Sequence, residues 1–239
     1  MIYEIAGLRV WLQNEYAYTT NFCQGYVSDD QSPFFDVVVS VTEEERREEK
    51  TSSPSASDGY IENICLYRNL CLQIPLFDRI LLHAAILRCE ENGYAFLGRS
   101  GVGKSTHTGL WLSLVDDTEI VNGDKPIIAY ENGVFTAYGT PWMGKEKRGS
   151  KTNVELKALC FLEQAENNEC VKLTKAEALQ RLLTQVLIPK EEEAVVKTLE
   201  LADKLLHTLP AYLLRCNVSE AAVKTAYEAL TGRLYSKKE

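Results

Sequence analysis

The run Gly98-Arg99-Ser100-Gly101-Val102-Gly103-Lys104-Ser105-Thr106 satisfies G-x-x-x-x-G-K-[ST] at every fixed position. Its spacing has a chemical reason. Glycines let successive backbone N–H groups curl around an anion, and they remove side chains that would block it. The run sits between Tyr94-Ala95-Phe96-Leu97, which reads as an apolar strand, and a helix expected over about Gly103–Leu114. The positive end of that helix would face the same anion. Lys104 would then reach the β- and γ-phosphates of a nucleotide, and the Ser105 hydroxyl would ligate Mg²⁺. The competing reading, a chance match on a surface loop, leaves the strand before the motif and the helix after it unexplained.

A phosphate loop of this kind needs an acid for its metal, and two places compete. Asp116 follows an apolar run but lies only 12 residues after Lys104. A helix rising 1.5 Å per residue would carry it ~18 Å from the phosphates. Asp116-Asp117 therefore reads as a solvated turn. Asp124 closes Glu119-Ile120-Val121-Asn122-Gly123, a short strand able to run back beside Ser105, and it is the expected metal ligand. A plain turn aspartate is the alternative.

Asn92-Gly93 reads as the two-residue turn of a hairpin between Ile80–Cys89 and Tyr94–Leu97. In that register Leu87 faces Gly98, and His83 lies level with Val102, beside the phosphates. The bland alternative for His83 is a satisfied core histidine. His107 and His207 fall in expected helices and are assigned no chemistry. A second hairpin is expected at Lys125–Tyr130 and Val134–Gly139, turning on Asn132-Gly133.

Residues 1–42 read as short strands, clearest at Phe35–Val41. The charge run from Glu43 to Lys50 and the Ser/Pro/Gly tract to Gly59 read as a mobile loop. This divides the chain into an N-terminal accessory region, 1–59, and a main body, 60–239, unless the two are continuous. In the last third, Lys175–Leu187 opens on a capping box of Thr174 and Glu177. A helix over Glu191–Leu209, a strand over Ala211–Val218 and a helix capped by Ser219 complete an α/β pattern with antiparallel admixture.

The formal net charge of −8 argues against nucleic acid as a partner. No apolar run approaches the ~18–20 residues of a membrane helix. Seven cysteines without metal spacing read as reduced core residues; with no leader pattern at the N-terminus, the expected compartment is the cytoplasm.

Four segments together, Leu82-His83-Ala84-Ala85, Gly98–Thr106, Ile120-Val121-Asn122-Gly123-Asp124 and Tyr138-Gly139-Thr140-Pro141-Trp142, resemble the catalytic domain of HPr kinase/phosphorylase and its relatives. The resemblance covers about residues 60–230. It implies the P-loop phosphoenolpyruvate carboxykinase-like fold, a mixed sheet with hairpins and helices packed around it. It also implies ATP and Mg²⁺ as cofactors, and transfer of the γ-phosphoryl to a serine-type hydroxyl of a protein, peptide or small molecule. Carried over by position, Lys104 binds phosphate, Ser105 and Asp124 hold metal, and His83 acts near the γ-phosphate or acceptor. A symmetric oligomer follows from the family's habit of assembling. One departure matters: the family carries two consecutive acids where this chain has Gly123-Asp124. A non-catalytic nucleotide sensor therefore stays open, and the resemblance also allows a phosphorylase running the reverse reaction. Gly139–Gly149, with Trp142, Lys145 and Arg148, reads as a loop covering an anionic substrate or as a solvated turn around a core tryptophan. No base-reading motif separates ATP from GTP.

Overall fold

Alternating apolar residues at the start of the chain build a small sheet with one buried face. In the computed structural model, which describes residues 1–238, this sheet holds β1 (Ile2–Ile5), β2 (Leu8–Leu12) and β3 (Val37–Val39). β1 runs antiparallel and β3 parallel to β2. A short helix, α1 (Ala17–Phe22), leaves β2. The run expected to be a mobile loop is instead helical: α2 covers Glu43–Ser52. Thr42 accepts from the Glu45 N–H while the Glu45 carboxylate reaches back to the Thr42 N–H, and three acids occupy the first turn. α2 buries no residue, so its composition looks like that of a linker. α3 (Asp58–Gln73) begins on a Ser57 cap. Its Leu66 and Leu70 share one core with Tyr3, Ile5 and Val10 of the small sheet and with Ile127 and Trp142 farther on.

Among the described residues, the main sheet has nine strands. β4 (Arg79–Leu81), β5 (Ala84–Cys89), β6 (Asn92–Leu97), β7 (Thr118–Asn122), β8 (Ile127–Glu131), β9 (Val134–Tyr138) and β10 (Asn153–Gln164) lie in the order β4-β8-β9-β10-β6-β5-β7. β11 (Glu169–Lys172) joins β12 (Ala211–Cys216), which lies beside β10. β10 forks the sheet. Its first residues pair antiparallel with β9, whereas Leu156–Phe161 pair parallel with β6 and Leu159–Gln164 parallel with β12. The run Ile80–Cys89, expected as one strand, breaks at Leu82-His83. β4 pairs β8, while β5 pairs β6 and β7. At the break, Leu82 bridges Val186 and the His83 N–H donates to the Gln185 carbonyl at 2.8 Å.

The two Asn-Gly dipeptides behave differently. Asn132 (φ +52°) and Gly133 (φ +86°) form the expected turn, with Glu131 opposite Val134. Asn92-Gly93 does not turn; the chain reverses at Glu90-Glu91, with Glu90 at φ +53° and Cys89 opposite Asn92. The reason is packing. A Cβ on Gly93 would stand 2.6 Å from Val154 Cγ1 and 2.9 Å from the Glu155 carbonyl, so this glycine lets β10 approach β6. The corrected register sets Leu87 opposite Tyr94 and Ala84 opposite Leu97. Continued by one residue, it sets His83 level with Gly98, not Val102.

Helices cover both faces of the sheet. α5 (Lys175–Leu182) forms the expected capping box but stops before the expected Leu187. α6 (Glu192–Thr208) packs Leu201, Ala202 and Leu205 on Ile80, Phe135 and Leu159. On the other face, α4 (Lys104–Leu114) and α7 (Glu220–Thr231) pack Trp111, Val223 and Ala226 on Leu87, Phe96 and Cys160. The result is mixed α/β. Among the described residues, no helix is long and apolar enough to cross a membrane, and all seven cysteines are free thiols.

Candidate active site

The loop Gly98–Gly103 leaves β6 and enters α4 without a side-chain cap. Gly101 (φ +80°) and Gly103 (φ +109°) adopt left-handed backbone with open space where a Cβ would stand. Conformation, not crowding, sets the requirement for glycine there. The first turn of α4 follows at once, so its unpaired N–H groups open on the loop.

Lys104, the first residue of α4, is only 7% exposed. Its Nζ donates to the Gly98 carbonyl at 2.7 Å and lies 3.2 Å from His83 Nε2. His83 Nε2 is in turn 3.3 Å from Asp124 Oδ1. A neutral imidazole carries one N–H, so the arrangement that suits all three groups has Nε2–H donating to Asp124 and Lys104 donating to Gly98. The His83 hydrogen bond holds the Asp124 carboxyl below its ordinary range, with Lys125 and Lys104 adding attraction against the cost of burial. Burial lowers the Lys104 ammonium, and Asp124 opposes that shift.

Asp124 does sit in the turn that the alternative reading gave it, and that turn aims it. Asn122 is fully buried, and its Oδ1 accepts from the Asp124 N–H (3.0 Å) and the Lys125 N–H (2.8 Å). Its Nδ2 donates to Thr140 Oγ1 at 3.0 Å, and Thr140 donates to the Lys125 carbonyl at 3.0 Å. The Tyr67 hydroxyl donates to the same carbonyl at 2.8 Å. The only sequence signal was an Asn followed by Gly-Asp, which marks a turn but not its burial.

His83, Ser100, Gly101, Gly103, Lys104, Ser105, Thr106 and Asp124 line one cavity of about 430 Å³, together with Met143, Gly144, Lys145, Glu146 and Arg148. The loop Gly139–Gly149 thus contributes Lys145 and Arg148 to the cavity. It is tied down at its ends, where Gly139 N–H donates to the Thr152 carbonyl at 2.9 Å, Gly123 N–H donates to the Arg148 carbonyl at 2.9 Å and Gly149 bridges Asn122. Trp142 points elsewhere: it is buried, stacks on Tyr67 at 4.1 Å and donates to Asn63 Oδ1 at 2.9 Å. Gly98, Arg99 and Val102 line a second cavity of about 700 Å³ behind the loop.

Ser105 and Asp124 offer the hard oxygen donors that Mg²⁺ prefers, and they face the same cavity. Among the described residues, no group of three or more His, Cys, Asp or Glu side chains is placed to hold a metal alone. A small donor set of this kind fits an ion that completes its shell with water and ligand oxygens.

No curated protein matches the sequence. Among solved structures, the Hpr(Ser) kinase/phosphatase from Coxiella burnetii is similar at 12% identity and a TM-score of 0.35, covering 64% of this chain and 93% of that one. The family described as SynChlorMet cassette protein ScmC matches residues 64–226, which hold the loop, His83, Asp124 and the Gly139–Gly149 segment. That match spans more than half of the chain, and the chain belongs to the ScmC family.

Proposed function

We propose that this protein is a phosphotransferase that moves the γ-phosphoryl of a nucleoside triphosphate, ATP in the first instance, to a hydroxyl. One observation carries the reading. A glycine loop at a helix N-terminus, a buried lysine, a histidine–aspartate pair and a serine hydroxyl share one cavity. Lys104 exchanges the Gly98 carbonyl for phosphate oxygens, and the loop N–H groups hold the rest of the chain of phosphates. Ser105 and Asp124 would hold Mg²⁺, which would supply charge neutralisation for the phosphates. Arg148, whose guanidinium lies over Gly109 of α4 and pairs with Glu146 at 3.3 Å, would add positive charge at the rim on exchanging that carboxylate for phosphate. In the transfer, the acceptor oxygen attacks the γ-phosphorus while its bond to the β–γ bridging oxygen breaks. The proton goes to the Asp124 carboxylate, oriented by His83, and ADP leaves.

A sensor reading has one observation in its favour. A Cβ on Gly123 would lie 3.1 Å from the Arg148 carbonyl, so the loop as folded sits close against the position where a second acid would stand. The test is label from γ-labelled ATP with Mg²⁺, followed in the presence of fractionated extract from the source cell. A kinase puts label into one fraction and loses that transfer in Asp124→Asn. Tight ATP binding with no transfer and no hydrolysis supports the sensor. No ATP binding removes the nucleotide reading altogether.

A further inference from the structure

Two segments far apart in sequence line the first cavity, Asp124 in one and Met143 to Arg148 in the other. A helix that does not line the cavity reaches both. α3 does so through Tyr67, which is 4% exposed. The helix is itself fixed, because its Leu66 and Leu70 join the core of the small sheet.

The hydroxyl of Tyr67 makes the first connection. It donates to the Lys125 carbonyl at 2.8 Å, and Thr140 Oγ1 donates to the same oxygen at 3.0 Å. Asn122 Oδ1 holds the N–H groups of Asp124 and Lys125, and the Asp124 carbonyl accepts from the Ala84 N–H at 3.2 Å. The backbone carrying Asp124 is thus pinned before and after the side chain that lines the cavity. Burial pushes the Tyr67 hydroxyl well above its ordinary range, so it stays a donor.

The ring makes the second connection. It stacks on Trp142 with centroids 4.1 Å and planes 21° apart. The indole N–H donates to Asn63 Oδ1 at 2.9 Å, and Asn63, 2% exposed, also belongs to α3. Only Met143 separates Trp142 from Gly144. At Gly144 (φ +77°) a Cβ would stand 2.7 Å from Asp124 Cβ, so the loop backbone closes on the same aspartate. The two connections therefore meet at Asp124, one through Lys125 and the other through Gly144. Core packing asks only that a buried tyrosine and tryptophan find acceptors and apolar cover. It does not ask that both be spent on the segments that flank one cavity.

We propose that Tyr67 is a positioning residue for the transfer, setting Asp124 against the Gly139–Gly149 loop from outside the cavity. This rests on the phosphotransferase reading above and adds to it what holds the cavity in working shape. Tyr67 touches no reacting atom; it acts through Asp124 and through Trp142.

The test uses the full chain and two readouts. In the first, water serves as acceptor, and labelled phosphate released from γ-labelled ATP with Mg²⁺ is followed. The second needs no turnover: calorimetry with a non-hydrolysable ATP analogue, and the Mn²⁺ concentration that half-saturates that complex. Tyr67→Phe keeps the stack and removes the hydroxyl. It should lower kcat about five- to tenfold and weaken Mn²⁺ about threefold, with KM for ATP held within about twofold. Trp142→Phe removes the indole N–H and loosens the segment bearing Lys145 and Arg148, so its main effect should be about three- to fivefold weaker binding of the analogue. In an Asp124→Asn background, Tyr67→Phe should change the Mn²⁺ midpoint by less than about twofold, because the residue it acts through is gone. Leu201→Val, a core change on α6, controls for stability and should leave both readouts within about twofold. Tyr67→Phe with kcat and the Mn²⁺ midpoint both unchanged overturns the inference. So does a loss no larger than that of Leu201→Val at equal melting temperature, or a full threefold Mn²⁺ loss in the Asp124→Asn background. Should wild type bind the analogue and release no phosphate, the Mn²⁺ comparison decides alone. No binding of the analogue overturns the reading beneath.

Discussion

His83 and His107 sit on opposite sides of one helix start and have opposite fates. His83 lies where the chain leaves one sheet partner for another, within 3.3 Å of both Lys104 Nζ and Asp124 Oδ1. His107 follows Lys104 by three positions on α4 but faces inward, 3% exposed, with its ring 5.1 Å from Phe96. Its Nε2 accepts from Trp111 Nε1 at 3.0 Å, which places the proton on Nδ1, and Nδ1 has no partner. Burial pushes its pKa down to about 4. The comparison teaches that proximity to the phosphate loop along the chain says little about chemistry. What decides is whether a histidine ends among charges or among rings.

The largest effect that would sharpen this contrast belongs to His83's partner. Asp124→Asn should lower transfer by about 10³ while shifting the melting temperature little, since the carboxylate is half-buried in a cavity and not in the core. Equal losses of stability and transfer would break the contrast. Next comes the acid response of His107. Between its ordinary 6.5 and about 4, the unfolded chain binds a proton that the folded chain does not. Stability should therefore fall with decreasing pH across that window, by about 3 kcal/mol in full. The depressed Asp124 carboxyl acts in the same direction at lower pH: its contribution is present above the ordinary carboxylate range and is lost as pH falls through its folded value. His107→Phe should remove the first limb in urea melts and leave the second. A smaller effect is expected for His83→Gln, about ten- to thirtyfold in transfer, because it loosens Asp124 without deleting it. Smallest of all, His107→Phe should leave transfer at neutral pH within about twofold. A large loss there would mean that the buried ring does more than pack.

How much of this was legible in the sequence depends on whether the signal was local. The strand before and the helix after Gly98–Thr106, the α5 and α7 caps and the Asn132-Gly133 turn are read from adjacent residues, and each forms about where expected. Asn92-Gly93 carries the same local signal, yet its glycine serves contact with Val154, sixty-one positions on by the numbering. The register, and with it the place of His83, was therefore misread. α2 looked like a linker because a capped helix that buries no residue and a mobile charge run share a composition. Gln185 carried no readable sign of its contact with His83, and Asn122 carried a turn signal but none of its burial. One needs the break at His83 to be brought to the loop, and the other needs Thr140 to be buried against it.

β10 has a consequence for how the protein is made. β6, which delivers the phosphate loop, takes β5 as one neighbour as soon as both are synthesised, but its other neighbour is Leu156–Phe161. β10 in turn waits for β12, near the end of the chain. During translation the loop-bearing strand therefore presents a bare, apolar hydrogen-bonding edge until Leu156–Phe161 has emerged. Distant pairings of this kind slow folding, because the loop between the partners must close before the contact repays it. A ribosome stalled ahead of β12 would hold a nascent chain with its glycine loop already made and the edge of β10 still open, a species suited to chaperone capture rather than to early nucleotide binding.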